Sequence, residues 1–265
     1  MLLDEVKATL AMENLSLNEE QEKLLKSYAD GKITLKEYQE LLLKLTKEYK
    51  AAWILEASSF DTVYCYPGTE VLINNFGEHD PKVLSQLERM CTAARIVDLL
   101  KKPVSGNFDL THLKKIHHYI FQDIYTWAGQ FRMVNISKEL LFCDANFIEK
   151  ELNKLFLKLK SENYLKDCTE DNIASKAAYY LGEINAIHPF REGNGRVARE
   201  FIREYVESRN KYFDYDYYID FNLNDEDKDT LEHVPREELY GNLTLFFLNM
   251  LNKKEKENQN NVKQM

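Results

Sequence analysis

The chain has 265 residues, of which 44% are hydrophobic and 30% are charged, as is usual for a globular protein with a sizeable core. Its 35 basic and 44 acidic side chains give a formal charge of -9, which argues against direct nucleic-acid binding and makes any basic cluster a local site. The four cysteines form no C-x-x-C pair, which argues against a zinc site or a disulfide framework. Because the N-terminus lacks a secretory signal and no apolar run reaches membrane-spanning length, we expect a cytoplasmic protein with no membrane partner.

The N-terminal segment is rich in charge, and three short helices are predicted over residues 3 to 50. Ser16 and Glu19 form a capping box that would open the second helix, and Thr34 with Glu37 would open the third. Few apolar residues are present to form an inward face: Leu24, Leu25, Tyr28, Tyr38, Leu41 and Leu42. A segment with so small an apolar face must dock on a larger body to be stable.

The rest of the chain predicts a mainly α fold, because apolar residues recur at three- and four-residue spacing and glycine and proline are few. An irregular connection follows Trp53, and Asp109 is the expected N-cap of one of the later helices. The helices are predicted at about 81 to 101, after 109, and at 146 to 160, 171 to 187 and 195 to 208. The only strand candidate is a short hairpin or flap around Arg132 to Ile136. The tail from residue 253 to 265 is expected to be disordered.

The segment HPFREGNGRVAR, residues 188 to 199, lies between two predicted helices that each have an apolar face. Gly193, Asn194 and Gly195 fall at the N-terminus of the second helix, where unpaired N–H groups and the helix dipole attract anions. Glycine allows close approach of the backbone to a ligand, as in a phosphate-binding nest. The sequence therefore predicts a phosphate-binding loop here.

The side chains of this segment indicate what the loop would do with a phosphate. Arg196 and Arg199 share one helical face and could clamp successive phosphates, so a polyphosphate is expected. Glu192 together with phosphate oxygens could hold Mg²⁺, and His188 is the natural general base for a hydroxyl that attacks phosphorus. From the residues alone, we predict nucleotidyl or phosphoryl transfer from a magnesium-bound nucleotide to an alcohol.

Each of these features also has a purely structural explanation. A His-Pro pair can cap a helix, Gly-Asn-Gly can form a turn, and an acid beside two arginines can form surface ion pairs. Their joint occurrence between two helices with apolar faces favours the functional interpretation.

The segment from His188 to Arg199 resembles the full signature of the Fic family, H-P-F-x-[D/E]-G-N-G-R-x-x-R, at every specified position. The resemblance extends to YTWAGQFRMVNIS and YCYPGTEVLINNFG and covers about residues 55 to 210. It implies a Fic-type helical bundle with a short β-hairpin flap, which we assign to residues 53 to 252.

The resemblance implies AMPylation, the transfer of AMP from ATP to a Ser, Thr or Tyr hydroxyl of a target protein with release of pyrophosphate. His188 would be the base and Glu192 the Mg²⁺ ligand. The segment from Gly193 through Asn194 to Gly195 would cradle the α- and β-phosphates, and Arg196 and Arg199 would clamp the terminal phosphates.

The flap, about residues 135 to 139, would register the backbone of the target as an added strand and place its hydroxyl before the base. We also expect four flap residues to contribute to nucleotide binding: Asn135, Ile136, Ser137 and Lys138.

The N-terminal helices, residues 1 to 52, resemble the small three-helix antitoxin that partners some Fic toxins, here fused into one chain. TLAMEN resembles the inhibitory motif [S/T]-x-x-x-E-[G/N], which assigns inhibitory roles to Thr9, Glu13 and Asn14. In the family, this glutamate pairs with the last arginine of the signature, which is Arg199. The resemblance therefore implies an autoinhibited enzyme in which Glu13 occupies the site of the γ-phosphate.

Other functions stay open at this level. The chain could remove AMP from a modified protein, or transfer another phosphate-containing group such as phosphocholine. A non-enzymatic alternative is an interaction module that only senses ATP. Neither the target protein nor the formation of a homo-oligomer can be read from the sequence.

Overall fold

The mainly α fold is confirmed by a computed structural model, which describes residues 2–13, 15–47, 61–138, 140–165, 170–210, 215–219 and 251–255. In this part of the chain the α-helices are α1 (Leu2–Ala11), α2 (Glu19–Ala29), α3 (Leu35–Lys47), α4 (Pro81–Lys101), α5 (Leu110–Phe121), α6 (Ile148–Ser161), α7 (Glu170–Ile187) and α8 (Asn194–Arg209). The boundary proposed between residues 52 and 53 lies outside the described residues, as does Asn14. No helix in the described ranges is both long and apolar enough to cross a membrane.

Short polar side chains define the starts of several helices. Asp109 caps α5 by accepting a hydrogen bond from the backbone N–H of His112, as predicted. At α3, the side chain of Thr34 accepts from the N–H of Glu37, while the Glu37 carboxylate accepts from the N–H of Thr34.

The predicted capping box of α2 is wrong. Asn18, rather than Ser16, accepts from the N–H of Gln21 at 2.9 Å, and the Gln21 side chain accepts from the N–H of Asn18 at 3.0 Å. Asn and Gln three residues apart make the same reciprocal pair of bonds as Ser and Glu, and this register also buries Gln21. The helix therefore begins at Glu19.

Helices α4 and α8 organise the core. Helix α4 packs against α1, α2, α3 and α5, and α8 packs against α5, α7 and α1. The N-terminal helices thus rest on α4, and α1 also reaches α8. This arrangement brings the end of α1 close to the start of α8, where the phosphate-binding loop was predicted.

Polar contacts fix the N-terminal helices to α4 in addition to apolar packing. The hydroxyl of Tyr38 donates to the Met90 carbonyl at 2.9 Å, and the hydroxyl of Tyr28 donates to the Asp98 carboxylate at 2.7 Å. Leu24, Leu25, Tyr38 and Leu42 are buried, as predicted. Leu41 was also placed on the inward face, but it is 39% exposed, because three successive leucines leave the helix face ambiguous and residue 42 takes the inward position.

Two antiparallel pairs of strands complete the described structure. The predicted hairpin flap is present as β1 (Ser137–Lys138) paired with β2 (Leu140–Leu141), but the predicted position of its strand is wrong, because Arg132 to Ile136 form no strand and lead into β1. A second pair, β3 (Tyr215–Ile219) with β4 (Leu251–Glu255), was not predicted. The tail was expected to be disordered from residue 253, which is wrong for residues 253 to 255, since they pair with β3; residues 256 to 265 lie outside the described residues.

The docking of the N-terminal helices can be tested with two leucines. Leu25→Ala should lower the free energy of unfolding by roughly 2 to 5 kcal/mol, because Leu25 is 0% exposed and its loss leaves a cavity under α2. Leu41→Ala is the matched control and should change it by less than about 1 kcal/mol. Urea unfolding followed by circular dichroism measures both, and equal losses would contradict this packing.

Candidate functional site

The loop between α7 and α8 is held by its own side chains. The Asn194 side chain accepts from the N–H of Phe190 at 2.7 Å and donates to the carbonyl of the same residue at 2.8 Å. Phe190 is fully buried and stacks on the imidazole of His117, with ring centroids 3.9 Å apart. The loop is therefore anchored in the core at its centre, and its polar residues line a cleft of about 720 Å³.

Glycine is required at Gly193, and Gly195 faces a crowded space above the loop. Gly193 has φ of 79°, and a Cβ there would lie 2.0 Å from the Phe121 ring. A Cβ on Gly195 would lie 2.8 Å from a carboxylate oxygen of Glu13 and 3.0 Å from Arg199. The space above Gly195 at the start of α8 is thus where Glu13 and Arg199 meet.

His188 ends α7 in a left-handed conformation, with φ of 51°. Its ring Nδ1 lies 3.2 Å from the Asn185 carbonyl oxygen, and the ring stacks on Phe142 with centroids 3.8 Å apart. A carbonyl can only accept, so this contact assigns the proton to Nδ1 in the neutral ring. Nε2 then carries the lone pair that a general base uses.

Arg196 lies at the centre of a cluster of carboxylates. Its guanidinium is buried and donates to Glu88 on α4 at 2.7 Å and to Glu192 at 3.3 Å. Its Nε also lies 2.8 Å from Oε2 of Glu13, as an ion pair without hydrogen-bond geometry. Three acids from three parts of the chain thus compensate one cation.

Glu88 was not identified from the sequence. It lies in the middle of α4 among buried apolar residues, and an acid in such a position is the signal that could have identified it. Its carboxylate also accepts a short hydrogen bond from the hydroxyl of Tyr125.

The pKa of Glu192 is raised, first by desolvation and then by the Glu88 carboxylate, against the opposing effect of Arg196. Solvent reaches 39% of its side chain, while its carboxylate accepts hydrogen bonds from the N–H of Gly193 at 2.8 Å and from Arg196 at 3.3 Å. A divalent cation would relieve the repulsion between Glu88 and Glu192, so the donor set fits Mg²⁺. Among the described residues no group of three or more histidine, cysteine, aspartate or glutamate side chains could hold a metal ion. Phosphate oxygens and water would complete the shell of an ion held by Glu192.

Glu13 joins Arg196 and Arg199, the first two arginines of α8. Its Oε1 lies 2.8 Å from Arg199, whose guanidinium also donates to the Thr9 carbonyl at 3.1 Å. Burial alone would raise the pKa of Glu13, but the charges of Arg196 and Arg199 together lower it, so it is a carboxylate at neutral pH. The structure thus brings together Thr9, Glu13 and Arg199, and adds Arg196 as a second partner of Glu13.

The structure describes the contacts of two of the four predicted flap residues, Asn135 and Ile136. The Asn135 side chain donates to Asp144 at 3.0 Å and accepts from the N–H of Ala145 at 2.8 Å, so it joins the two stems of the hairpin. The Ile136 carbonyl accepts from the N–H of Phe142 at 3.4 Å. Ser137 and Lys138 belong to β1, and their side chains are outside the described part of the structure.

His117 on α5 supports the loop between α7 and α8, and it was not identified from the sequence. Its Nδ1 accepts from the N–H of Gly129 at 2.7 Å, so Nε2 carries the proton and donates to the Glu192 carbonyl at 3.2 Å. Burial lowers the pKa of His117 to about 3, which keeps the ring neutral in the folded protein.

His117 should make the stability of the protein depend on pH. Its pKa is about 3 when folded and about 6.5 when unfolded, so the unfolded chain binds the extra proton between these values. Stability is therefore lost as the pH falls below about 6.5, by about 2 kcal/mol on reaching about pH 5. In urea unfolding, His117→Gln should remove this loss of stability at acid pH, whereas His79→Gln, at an exposed position, should keep it. Equal acid sensitivity in His117→Gln and the parent would contradict the assignment.

Comparison with known proteins supports the resemblance of residues 188 to 199 to the Fic signature. A sequence profile described as Fic/DOC family matches residues 107 to 206. The chain is 40% identical over 140 residues to the probable protein adenylyltransferase y4lH of Sinorhizobium fredii, which covers 52% of this chain and 71% of that protein. It is 38% identical over 142 residues to the probable protein adenylyltransferase Fic of Salmonella typhimurium, covering 53% of this chain and 70% of that protein.

A longer relative matches only in part. The chain is 38% identical over 154 residues to the protein adenylyltransferase VbhT of Bartonella schoenbuchensis, so 58% of this chain aligns with 32% of that protein. Among solved structures, BepC of Bartonella tribocorum, crystallised with AMPPNP, has a TM-score of 0.63 at 24% identity. The match covers 73% of this chain and 98% of BepC, and it supports the fold. From its sequence, its relatives and its fold, the chain belongs to the Fic/DOC family.

Proposed function

We propose that the protein is an adenylyltransferase that moves AMP from ATP to a Ser, Thr or Tyr hydroxyl of a target protein. The observation that carries the proposal is the placement of His188 and the arginines Arg196 and Arg199 on one loop and helix start. All three residues line the same cleft, so a base would act beside a clamp for a polyphosphate. The names of the relatives, which are protein adenylyltransferases, and the AMPPNP bound to BepC agree with this reaction.

The chemistry follows from the position of each group. Nε2 of His188 would take the proton of the target hydroxyl as its oxygen bonds to the α-phosphorus. The bond from that phosphorus to the bridging oxygen breaks, and pyrophosphate leaves with the bonding pair. The backbone N–H groups from Gly193 to Gly195 and the positive end of α8 would bind phosphate oxygens, while Arg196 and Arg199 would hold the terminal phosphates.

Glu192 would hold Mg²⁺ together with phosphate oxygens. The ion would supply positive charge where negative charge develops on the phosphates. The neighbouring carboxylate of Glu88 stays bound to Arg196 and adds negative charge beside Glu192, where the ion would bind.

We also propose that the N-terminal helices, residues 1 to 52, inhibit the enzyme through Glu13. The Glu13 carboxylate lies against Gly195 and within 2.8 Å of both guanidiniums, so it occupies the position where terminal phosphates would bind. ATP could then bind only without its normal contacts to Arg199. Thr9 contributes through its carbonyl, which fixes the direction of the Arg199 side chain.

Removal of the Glu13 carboxylate tests the inhibition. Hydrogen bonds between charged groups contribute about 1.5 to 3 kcal/mol, so Glu13→Gly should raise AMP transfer roughly ten- to a hundredfold. ATP labelled at the α-phosphate, incubated with a bacterial lysate, measures transfer as label on protein. Glu20→Gly is the matched control, because Glu20 is exposed on α2 and does not line the cleft. An unchanged rate in Glu13→Gly would exclude this inhibition.

Loss of the base tests the chemistry itself. His188→Ala should abolish labelling in the presence and in the absence of Glu13, while AMPPNP still binds to the Glu13→Gly background because Arg196 and Arg199 are intact. If Glu13→Gly binds AMPPNP yet labels no protein, the chain is a nucleotide-sensing module. Label from CDP-choline in place of ATP, or loss of AMP from labelled protein, would identify the other two activities considered above.

A further inference from the structure

Arg132 is a buried guanidinium between the flap and the end of α7, with backbone carbonyls as its hydrogen-bond acceptors. Its Nε donates to the His188 carbonyl at 2.8 Å, and Nη1 donates to the Val134 carbonyl at 2.8 Å. Nη2 makes a short bond to the Cys143 carbonyl and a longer one, 3.4 Å, to the Ile187 carbonyl. Four carbonyls from three places in the chain therefore converge on a single side chain.

These carbonyls belong to the two parts of the site that must act together. Val134 and Cys143 lie on the two stems of the flap, one before β1 and one after β2. Ile187 and His188 form the end of α7, and the N–H of Arg132 also donates to the Pro189 carbonyl at 2.9 Å. One cation thus ties the flap to the backbone of the general base.

The backbone of His188 needs such support. A φ of 51° is uncommon for a residue other than glycine and persists where surrounding contacts hold it. The bond from Arg132 fixes the carbonyl of this strained residue. The bond to Cys143 fixes the residue next to Phe142, whose ring stacks on the His188 imidazole at 14° between planes.

Burying Arg132 carries a cost that carbonyl oxygens offset only in part. Desolvation lowers the pKa of Arg132, although an arginine stays charged at any ordinary pH. Lysine could not replace it, because a guanidinium supplies five N–H donors in a rigid planar fork and an ammonium supplies three at one point.

We propose that Arg132 is a positioning residue, which sets the direction of the His188 imidazole and its distance from the flap that receives the target. This inference rests on the proposed transfer to a protein hydroxyl. It assigns to Arg132 an effect on the protein acceptor rather than on the arginines that would hold the terminal phosphates, because its contacts lie at residues 134, 143 and 187 to 189 and not at the start of α8.

The experiment uses the full chain with Glu13→Gly as the parent. Arg132→Lys should lower protein labelling from ATP by about tenfold or more, since a displacement of 1 Å can cost a hundredfold in rate. Its dissociation constant for AMPPNP should stay within about twofold of the parent. In NMR spectra, the ring protons of His188 should lose the shift caused by the Phe142 ring, and Phe142→Leu provides the reference position for that loss.

Arg95→Lys is the matched control, because Arg95 is another largely buried arginine, paired with Asp123 at 2.6 Å and lining a different cavity. It should leave labelling and the His188 signals as in the parent. Equal labelling by Arg132→Lys and the parent, or a loss of AMPPNP binding in step with labelling, would overturn the proposal. If the parent itself labels no protein, the proposed function fails instead.

A second variant keeps the test decisive if Arg132→Lys does not fold. Phe142→Leu removes the ring that Arg132 holds against His188 and should lower labelling about fivefold or more with AMPPNP affinity unchanged. Full labelling by Phe142→Leu would overturn the proposal that Arg132 acts through this ring.

Discussion

The buried guanidinium of Arg196 is the constraint on which the site depends. It lies in the first turn of α8, shielded from water, and a cation in that position is stable only where anions compensate it. Glu88 comes from α4, Glu192 from the loop and Glu13 from the turn after α1. The relative positions of these three elements are therefore tied to one charge.

The three carboxylates are not equivalent partners. Glu88 is 14% exposed and is also held by the Tyr125 hydroxyl, so it belongs to the fixed part of the core. Glu13 is 22% exposed and follows the short helix α1. Under the proposed function, terminal phosphates and Glu13 are alternative anions for Arg196 and Arg199. Inhibition is then an exchange of anions in which the buried cations stay compensated in both states.

Local signals in the sequence were sufficient for most elements. Apolar periodicity located α4, α5, α7 and α8, and the caps at Thr34 and Asp109 are set by residues within one helical turn. The errors arose where two local solutions have the same chemistry. Asn18 with Gln21 and Ser16 with Glu19 are alternative capping boxes for α2. Leu41 and Leu42 are alternative inward residues of α3. The pairing of β3 with β4 joins segments more than thirty residues apart, which a local pattern cannot reveal.

The residues that position the site were missed for the same physical reason. Glu88 is 108 residues from Arg196, His117 is 75 from Glu192, and Arg132 is 56 from His188. Motif reading found the groups that face the cleft, because they are close together in the chain. The groups that hold them become visible only when the helices pack, although an acid or an imidazole within an apolar helix face indicates such a role.

The supporting residues act on peptide groups, and this determines which atoms face the cleft. In a trans peptide the C=O and N–H point in opposite directions, so the bond from His117 to the Glu192 carbonyl turns the N–H of Gly193 towards the cleft. There it meets a carboxylate oxygen of Glu192 at 2.8 Å, an anion in the position that a phosphate oxygen could take. The peptide between His188 and Pro189 has no N–H, so its carbonyl is its only polar group and Arg132 satisfies it. Both peptides are thus fixed from the protein side, and the N–H of Gly193 faces the cleft without depending on a bound ligand to align it.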